Sequence, residues 1–244
     1  MNRFLKGAMI LTIAGVIVKI IGAFSKVLVA RILGGEGIGL YMMGYPIYQI
    51  IVSISAAGIP VAISIMIAEK LANRDMRGVQ QVFNVSLRVL TLVGIIFSVG
   101  LYASAEWLIQ WNIITDPRAL IPIQLLSPAI IVVTILSCFR GYFQGRREMS
   151  KIAISQMVEQ FFRVVLGIAI AYYWMVSFGP EQGAAGGVLG AAIGGFASIV
   201  FLVLAYLKGS KKRKMEIESS KNFKVESTKT VLKRILYVAI PISI

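Results

Sequence analysis

Two lysines inside the first apolar stretch are the residues best suited to binding a charged ligand. Lys19 and Lys26 lie within residues 7–34, which can cross a bilayer as one helix because about 20 residues span the hydrocarbon core. A charge near the centre of such a helix costs about 2.5–3.5 kcal/mol. Gly15 and Gly22 share their side of the helix, so a small, basic face lies opposite Ile, Val, Leu and Ala. This face predicts a helix that lines a water-filled cavity and binds an anion.

Each basic residue of this stretch also has a structural interpretation. Lys26 can extend its aliphatic stem toward the outer interface. Lys19 can pair with Glu159 or another buried acceptor, and Arg31 can act as an interfacial anchor. Lys19 lies about 16 Å from the helix start at a rise of about 1.5 Å per residue, which is too central to reach either surface easily. The cavity interpretation is therefore favoured for Lys19.

A second set of polar residues occurs in the apolar stretch 151–177. Gln156, Glu159, Gln160 and Arg163 fall on one side of a helix, and Glu159 precedes Arg163 by four residues, the favourable order for an intrahelical ion pair. The pair is either structural or part of a cavity wall, in which Arg163 is released to, or shared with, an anionic substrate. The predicted substrate-binding residues are Lys19, Lys26, Arg31, Glu159 and Arg163.

The composition is typical of a membrane protein and excludes several kinds of site. Hydrophobic residues make up 57% of the chain and charged residues 15%, against about 25% charged in soluble domains. The sequence has no His and one Cys, so we expect no metal site, no cofactor and no enzymatic activity. The net charge of +14 is explained by where the basic residues fall, and we expect no nucleic-acid partner.

The elements that must position these residues are membrane-spanning helices. We predict an all-α, polytopic membrane helix bundle with six transmembrane helices and the start of a seventh at Ile235. Basic residues cluster before the first helix and after the even-numbered ones, which predicts a multi-pass cell-membrane protein with a cytoplasmic N terminus. The six predicted spans are 8–33, 38–68, 80–103, 119–143, 151–177 and 184–207.

Residues 208–234 form the single long hydrophilic segment, with ten Lys or Arg residues against three Glu. We interpret it as a basic cytoplasmic linker that also attracts anionic membrane lipids. The predicted organisation is a six-helix lobe over 1–207, this linker, and the start of a second lobe over 235–244, so that the chain is the front half of a longer protein.

Glycine and proline mark two further features of the spans. The sequence Gly58-Ile59-Pro60 predicts a kink in the second span, because proline removes a helix hydrogen bond. Either the freed backbone faces a cavity, or the long helix is simply curved. In the sixth span Gly186, Gly190 and Gly194 recur every four residues, which predicts close packing of helices.

Two segments carry a resemblance to a known family. The end of the first helix, VARILGGEGIGLY, and the block SCFRGYFQGRREMSKIAISQMVEQFFRV over 137–164 resemble the polysaccharide-transporter branch of the multidrug/oligosaccharidyl-lipid/polysaccharide exporter superfamily. The chain is most similar to the stage V sporulation protein B group, which includes lipid II flippases. The resemblance implies two six-helix lobes around a central cleft, with undecaprenyl-pyrophosphate-linked glycans, lipid II or a polysaccharide precursor, moved by alternating access.

The resemblance also implies roles for individual residues. In lipid II flippases the first helix contributes basic residues to a cationic cavity, and Lys19, Lys26 and Arg31 fall where this helix keeps that character. Related flippases place an acidic residue beside a basic one where this sequence has Ser25-Lys26. A role of that acid in ion coupling therefore does not transfer to this chain. The implied partners are a lipid-linked oligosaccharide and the second lobe of the same full-length chain.

The sequence leaves three other functions open. A multidrug exporter of the same superfamily extrudes cations and uses a membrane-embedded carboxylate, for which Glu159 is the candidate. A membrane acyl- or glycosyltransferase is disfavoured, because the sequence lacks His and has no acidic cluster at a membrane surface. A purely structural role for the protein would not explain why Lys19 lies near the centre of an apolar helix. The sequence contains no G-x-x-x-x-G-K-[ST] motif for ATP, and an inside-negative membrane potential can help to move an anion outward without one.

Overall fold

The structure is a computed structural model that describes residues 3–56, 58–220 and 226–243. Every regular element in these ranges is helical, which confirms the all-α fold. A short 3-10 turn, Pro117–Ala119, precedes α5. The helices are α1 (Arg3–Met43), α2 (Tyr45–Ala56), α3 (Ile59–Ala72), α4 (Met76–Gln110), α5 (Leu120–Leu126), α6 (Pro128–Gly145), α7 (Met149–Phe178), α8 (Pro180–Lys208), α9 (Ser210–Glu218) and α10 (Thr228–Ser243).

Five segments of the described chain are long and apolar enough to cross a membrane. The first is 66 residues long and contains both of the first two predicted spans. The count of six complete spans and the start of a seventh therefore stays a prediction, as do the domain boundaries. The five segments are Gly7–Ala72, Met76–Gln110, Pro117–Gly145, Met149–Phe178 and Pro180–Lys208.

Glycines in the left-handed region break the first apolar segment. The predicted kink at Gly58-Ile59-Pro60 is confirmed, because Gly58 has φ 71° and Pro60 lies in the first turn of α3. A second break, at Gly34 with φ 65°, interrupts α1 directly after the predicted end of the first span. Only glycine adopts such a φ at little cost, so these positions redirect the chain.

Glycines also set the distance between α7 and α8. Gly179, with φ 95°, is the single residue between these antiparallel helices. A Cβ on Gly190 would lie 2.8 Å from the Cα of Gly167, and one on Gly194 would lie 2.4 Å from the carbonyl oxygen of Glu159. The predicted close packing of the sixth span is therefore confirmed, and it fixes the backbone that carries Glu159 and Arg163.

Two clusters of buried apolar residues hold the bundle together. One joins α3, α4, α6, α7, α8 and α10 around the rings of Phe83 and Tyr142, whose centroids are 4.7 Å apart and whose planes are tilted by 53°. The other joins α1 and α2 to α5, α6 and α8 around Leu33 and Ile123. Cys138 is fully buried in the first cluster, with Sγ 3.8 Å from the carbonyl oxygen of Phe83.

The hydrophilic segment after α8 is partly helical. Composition predicts a solvated linker over 208–234, whereas the structure has α9 there and starts α10 at Thr228. Residues 221–225 and 244 of the predicted linker and second lobe lie outside the described residues. The α10 helix packs against α3 and α4 and buries Val231 and Ile235.

Candidate functional site

Residues of α1, α2, α7 and α8 line a cavity of about 330 Å³ near the middle of the first apolar helix. α1 packs on both α7 and α8. The ring of Tyr41, in the part of α1 beyond Gly34, and the ring of Tyr45, at the start of α2, line the same cavity. The lining residues are Lys19, Gly22, Ala23, Ser25, Lys26, Val29, Tyr41, Tyr45, Gln160, Arg163, Gly167, Ile168, Gly187 and Ala191.

Lys19 and Lys26 both line this cavity, as the stripe on α1 predicts. Gly22 lies between them and faces α7, since a Cβ there would lie 3.3 Å from Nε2 of Gln160. Within the described ranges, no carboxylate oxygen lies within 4.0 Å of either ammonium group. The alternative pairing of Lys19 with Glu159 is not observed, and both positive charges remain available to a ligand.

Glu159 instead forms ion pairs with two arginines. Its Oε1 accepts a hydrogen bond from Arg163, which confirms the predicted intrahelical ion pair. Its Oε2 accepts a hydrogen bond from Nη2 of Arg140 on α6 at 2.6 Å. The carboxylate side chain is 14% exposed, against 23% for Arg140 and 34% for Arg163. Two guanidinium groups on one carboxylate leave an excess positive charge beside the cavity.

Arg163 connects this cluster to the cavity. It is a lining residue together with the two lysines, and its buried Nε has no hydrogen-bond partner among the described residues. Tyr41 and Tyr45 line the same cavity, with hydroxyl oxygens 3.5 Å apart and ring centroids 5.4 Å apart. Their rings add amphipathic surface at low conformational-entropy cost.

Arg31 is exposed on α1 and is not among the residues that line the cavity. It lies three residues before the break at Gly34. The structure therefore brings together Lys19, Lys26 and Arg163, with Glu159 behind them, while the role predicted for Arg31 stays a prediction.

Two parts of the site were missed by sequence reasoning. Arg140 lies inside the predicted span 119–143, so it carries the same signal as Lys19, a charge within an apolar run. Tyr41 and Tyr45 carry no such signal, because tyrosine is common at membrane interfaces. They reach the cavity only because the chain changes direction at Gly34.

The arrangement is suited to binding an anion reversibly. Water is scarce within a membrane bundle, and a lower dielectric strengthens the attraction between a cation and an anion. Among the described residues no group of three or more His, Cys, Asp or Glu could hold a metal ion.

Comparison with known proteins agrees with this architecture. The family described as "Polysaccharide biosynthesis protein" matches residues 4–243. The chain belongs to this family. Stage V sporulation protein B of Bacillus subtilis (strain 168) is 35% identical over 225 residues, which cover 91% of this chain and 43% of that protein. Lipid II flippase MurJ of the same organism is 26% identical over 216 residues, covering 85% of this chain and 40% of that protein.

These matches confirm the resemblance to the polysaccharide-transporter branch. The chain spans less than half the length of these two relatives. Together with the five apolar segments, they identify a multi-pass membrane protein.

Solved structures show the same fold. A crystal structure of MATE in complex with MaD3S superposes with a TM-score of 0.79 at 17% identity, covering 99% of this chain and 52% of that one. A MOP superfamily transporter from Pyrococcus furiosus superposes with a TM-score of 0.71 at 18% identity, covering 99% of this chain and 51% of that one. At this level of identity the likeness concerns the fold alone.

Proposed function

We propose that this chain forms the N-terminal lobe of a flippase that moves an undecaprenyl-pyrophosphate-linked glycan across the cytoplasmic membrane by alternating access. The substrate is lipid II or a polysaccharide precursor. The observation that carries the proposal is the cavity in which Lys19, Lys26 and Arg163 meet. Glu159, the carboxylate that pairs with Arg163, is also engaged by Arg140.

The chemistry of the substrate fits this cavity. A pyrophosphate carries about two negative charges, and its transfer through hydrocarbon alone is prohibitive. Lysine offers a compact point charge without the rigid fork of arginine, which favours a grip that can be released. An inside-negative potential favours outward movement of an anion by about 2.3 kcal/mol per charge per 100 mV. One relative of this chain is named as a lipid II flippase.

The proposed orientation follows from the basic residues. The ends of the bundle that carry Lys70, Arg146, Lys151 and Lys208 would face the cytoplasm together with the N terminus. A second lobe of the full-length chain would provide the other wall of the cavity, and the basic segment after α8 would connect the lobes and contact anionic lipids. The greater length of the relatives supports this division.

A multidrug exporter is the second candidate, because the similar solved structures include multidrug transporters. Such a function would use Glu159 to bind cations or protons. Its two arginine partners compete with any cationic ligand for the carboxylate oxygens. The site therefore favours an anionic substrate.

The test is lipid II translocation by the full-length protein in reconstituted vesicles. Lys19→Ala and Lys26→Ala should each lower translocation at least tenfold at matched expression, and Lys19→Arg should restore part of it, because the charge is retained. Lys208→Ala is the matched control, since it removes an exposed lysine that does not line the cavity. Transport of a cationic dye but no lipid II by the unaltered protein would favour the exporter, and full activity of both alanine variants would make the lysines structural.

A further inference from the structure

A second basic cavity lies at one end of the bundle, between the α6–α7 turn and the α8–α9 turn. Its volume is about 450 Å³, within the range of about 300–1,000 Å³ typical of small-ligand sites. The rings of Tyr142 and Phe143 form part of its lining. Five cationic side chains and one carboxylate complete its charged lining: Arg146, Arg147, Lys151, Lys212, Arg213 and Glu148.

This cavity lies at the depth of the lipid headgroups. The apolar segments Pro117–Gly145 and Pro180–Lys208 end beside it, and Met149–Phe178 begins there. Ends of apolar spans mark the boundary between hydrocarbon and headgroups. Basic pockets between membrane helices at this level bind anionic headgroups.

The acidic residues around the cavity are already paired within the protein. Arg146 donates from Nη2 to Oε2 of Glu216 at 3.0 Å and from Nε to Glu148 at 3.4 Å. The other oxygen of Glu148 pairs with Lys151. Burial opposes the charge on Arg146, but Tyr142 and Glu216 outweigh it and raise the pKa of its guanidinium. These ion pairs leave no free carboxylate to compensate the remaining cations of the lining.

Three cations of the cavity have no carboxylate partner among the described residues: Arg147, Lys212 and Arg213. Arg213 donates instead to the carbonyl oxygen of Tyr206 and lies over its ring, so Arg147 and Lys212 are the better candidates for contact with a ligand. Arg147 also has φ 58°, a conformation that favours glycine. The amide of Glu148 donates a hydrogen bond to the carbonyl oxygen of Phe143 at 2.8 Å. This bond belongs to a turn that ends many helices, and in that turn the position of Arg147 is usually occupied by glycine.

We propose that this cavity binds the phosphate headgroup of an anionic membrane lipid, with Arg147 and Lys212 donating hydrogen bonds to the phosphate oxygens. The proposal does not depend on what the central cavity transports, because the two cavities share no lining residue.

Native mass spectrometry of the purified full-length protein in detergent tests this site, with phosphatidylglycerol as the probe and phosphatidylcholine as its neutral counterpart. We expect phosphatidylglycerol to bind more tightly. Arg147→Gly and Lys212→Gln should each weaken it about fivefold, because a basic residue near an anionic lipid surface contributes about 1 kcal/mol. The melting temperature of Arg147→Gly should stay the same or rise, because glycine relieves the backbone strain.

Arg74→Gly is the matched control. Arg74 has φ 56° at the end of α3 and does not line the cavity, so this change removes the same charge and the same strain elsewhere. Its affinity for phosphatidylglycerol should match that of the unaltered protein. Equal binding of the two lipids, or equal weakening by Arg74→Gly and Arg147→Gly, overturns the proposal. If millimolar inorganic phosphate displaces the lipid, the cavity is a site for free phosphate, and the proposal of a lipid ligand is wrong.

Discussion

Replacing Glu159 by glutamine should destabilise the protein and strengthen its hold on an anion. The variant keeps the shape of the side chain but removes the one carboxylate that Arg140 and Arg163 share. Arg163 then faces the cavity without an anionic partner, so pyrophosphate should bind more tightly. Release should become slower, and we expect translocation to fall although affinity rises.

The size of the stability loss follows from the exposure of the three side chains. Two unit charges about 4 Å apart attract by about 4 kcal/mol at an effective dielectric of about 20. Removal of one partner from a fully buried pair costs about 3–5 kcal/mol. Here the side chains are 14–34% exposed, and water screens part of the charge, so we expect a loss of about 2–3 kcal/mol.

Unfolding in mixed micelles of dodecyl sulfate and dodecyl maltoside, followed by circular dichroism, measures this loss. Isothermal titration with inorganic pyrophosphate measures the change in affinity. Glu106→Gln is the matched control, because Glu106 is exposed on α4 and forms no ion pair among the described residues. Combining Glu159→Gln with Arg140→Gln should cost less than the sum of the single changes, since it removes an uncompensated charge.

Two outcomes would refute this reasoning. One is a Glu159→Gln variant as stable as Glu106→Gln. The other is a double variant whose loss of stability equals the sum of the two single losses, because independent sites add.

Three further changes test the packing and the charges. Gly194→Ala should cost about 1–3 kcal/mol in the same unfolding assay, because its Cβ would overlap the backbone of α7, whereas Gly100→Ala should gain up to about 1 kcal/mol in open space. Lys70→Met should cost about 2–3 kcal/mol, because it leaves the buried carboxylate of Asp75, 3.2 Å away, without its cation. Hydrogen bonds from Arg118 lower the pKa of Asp116. The ionised carboxylate therefore contributes fully to stability above about pH 4, and this contribution is lost as the pH falls through the folded-state pKa. Comparing the free energy of unfolding of Asp116→Asn and the unaltered protein across this pH range measures the contribution.

For each of these changes, one outcome would contradict the structural explanation. Equal stability of Gly194→Ala and Gly100→Ala would contradict the tight α7–α8 packing. Arg234→Met should cost less than about 1 kcal/mol, because its pair with Glu69 is exposed; a loss as large as that of Lys70→Met would contradict the role of burial. If the difference in stability between Asp116→Asn and the unaltered protein grew as the pH fell, the expected direction of the pH dependence would be wrong.

Features that lie within one helix could be predicted from the sequence. The lysine stripe on α1 and the Glu159–Arg163 pair follow from 3.6 residues per turn. The kink at Gly58 could be predicted from Pro60, because proline lacks the amide hydrogen that a helix hydrogen bond needs.

Features that depend on contacts between helices could not be predicted. A membrane helix is apolar both where it packs and where it meets lipid, so its hydropathy does not show which face meets a neighbour. For this reason nothing in the sequence paired Arg140 with Glu159. The break at Gly34 has no proline beside it. The α9 helix, in a charged segment, is held by an ion pair between Glu216 and Arg146, 70 residues apart in sequence, and this pairing is not visible in the sequence.

The burial of Cys138 makes this protein a convenient background for thiol-directed reporters. The chain has a single cysteine, and its side chain is 0% exposed. A maleimide or nitroxide label would therefore react with a thiol introduced at an exposed position such as Phe24 or Phe161 and leave the sulfur of Cys138 unmodified while the protein is folded. Labels at these positions on α1 and α7 could then follow the distance between the two helices without replacement of Cys138.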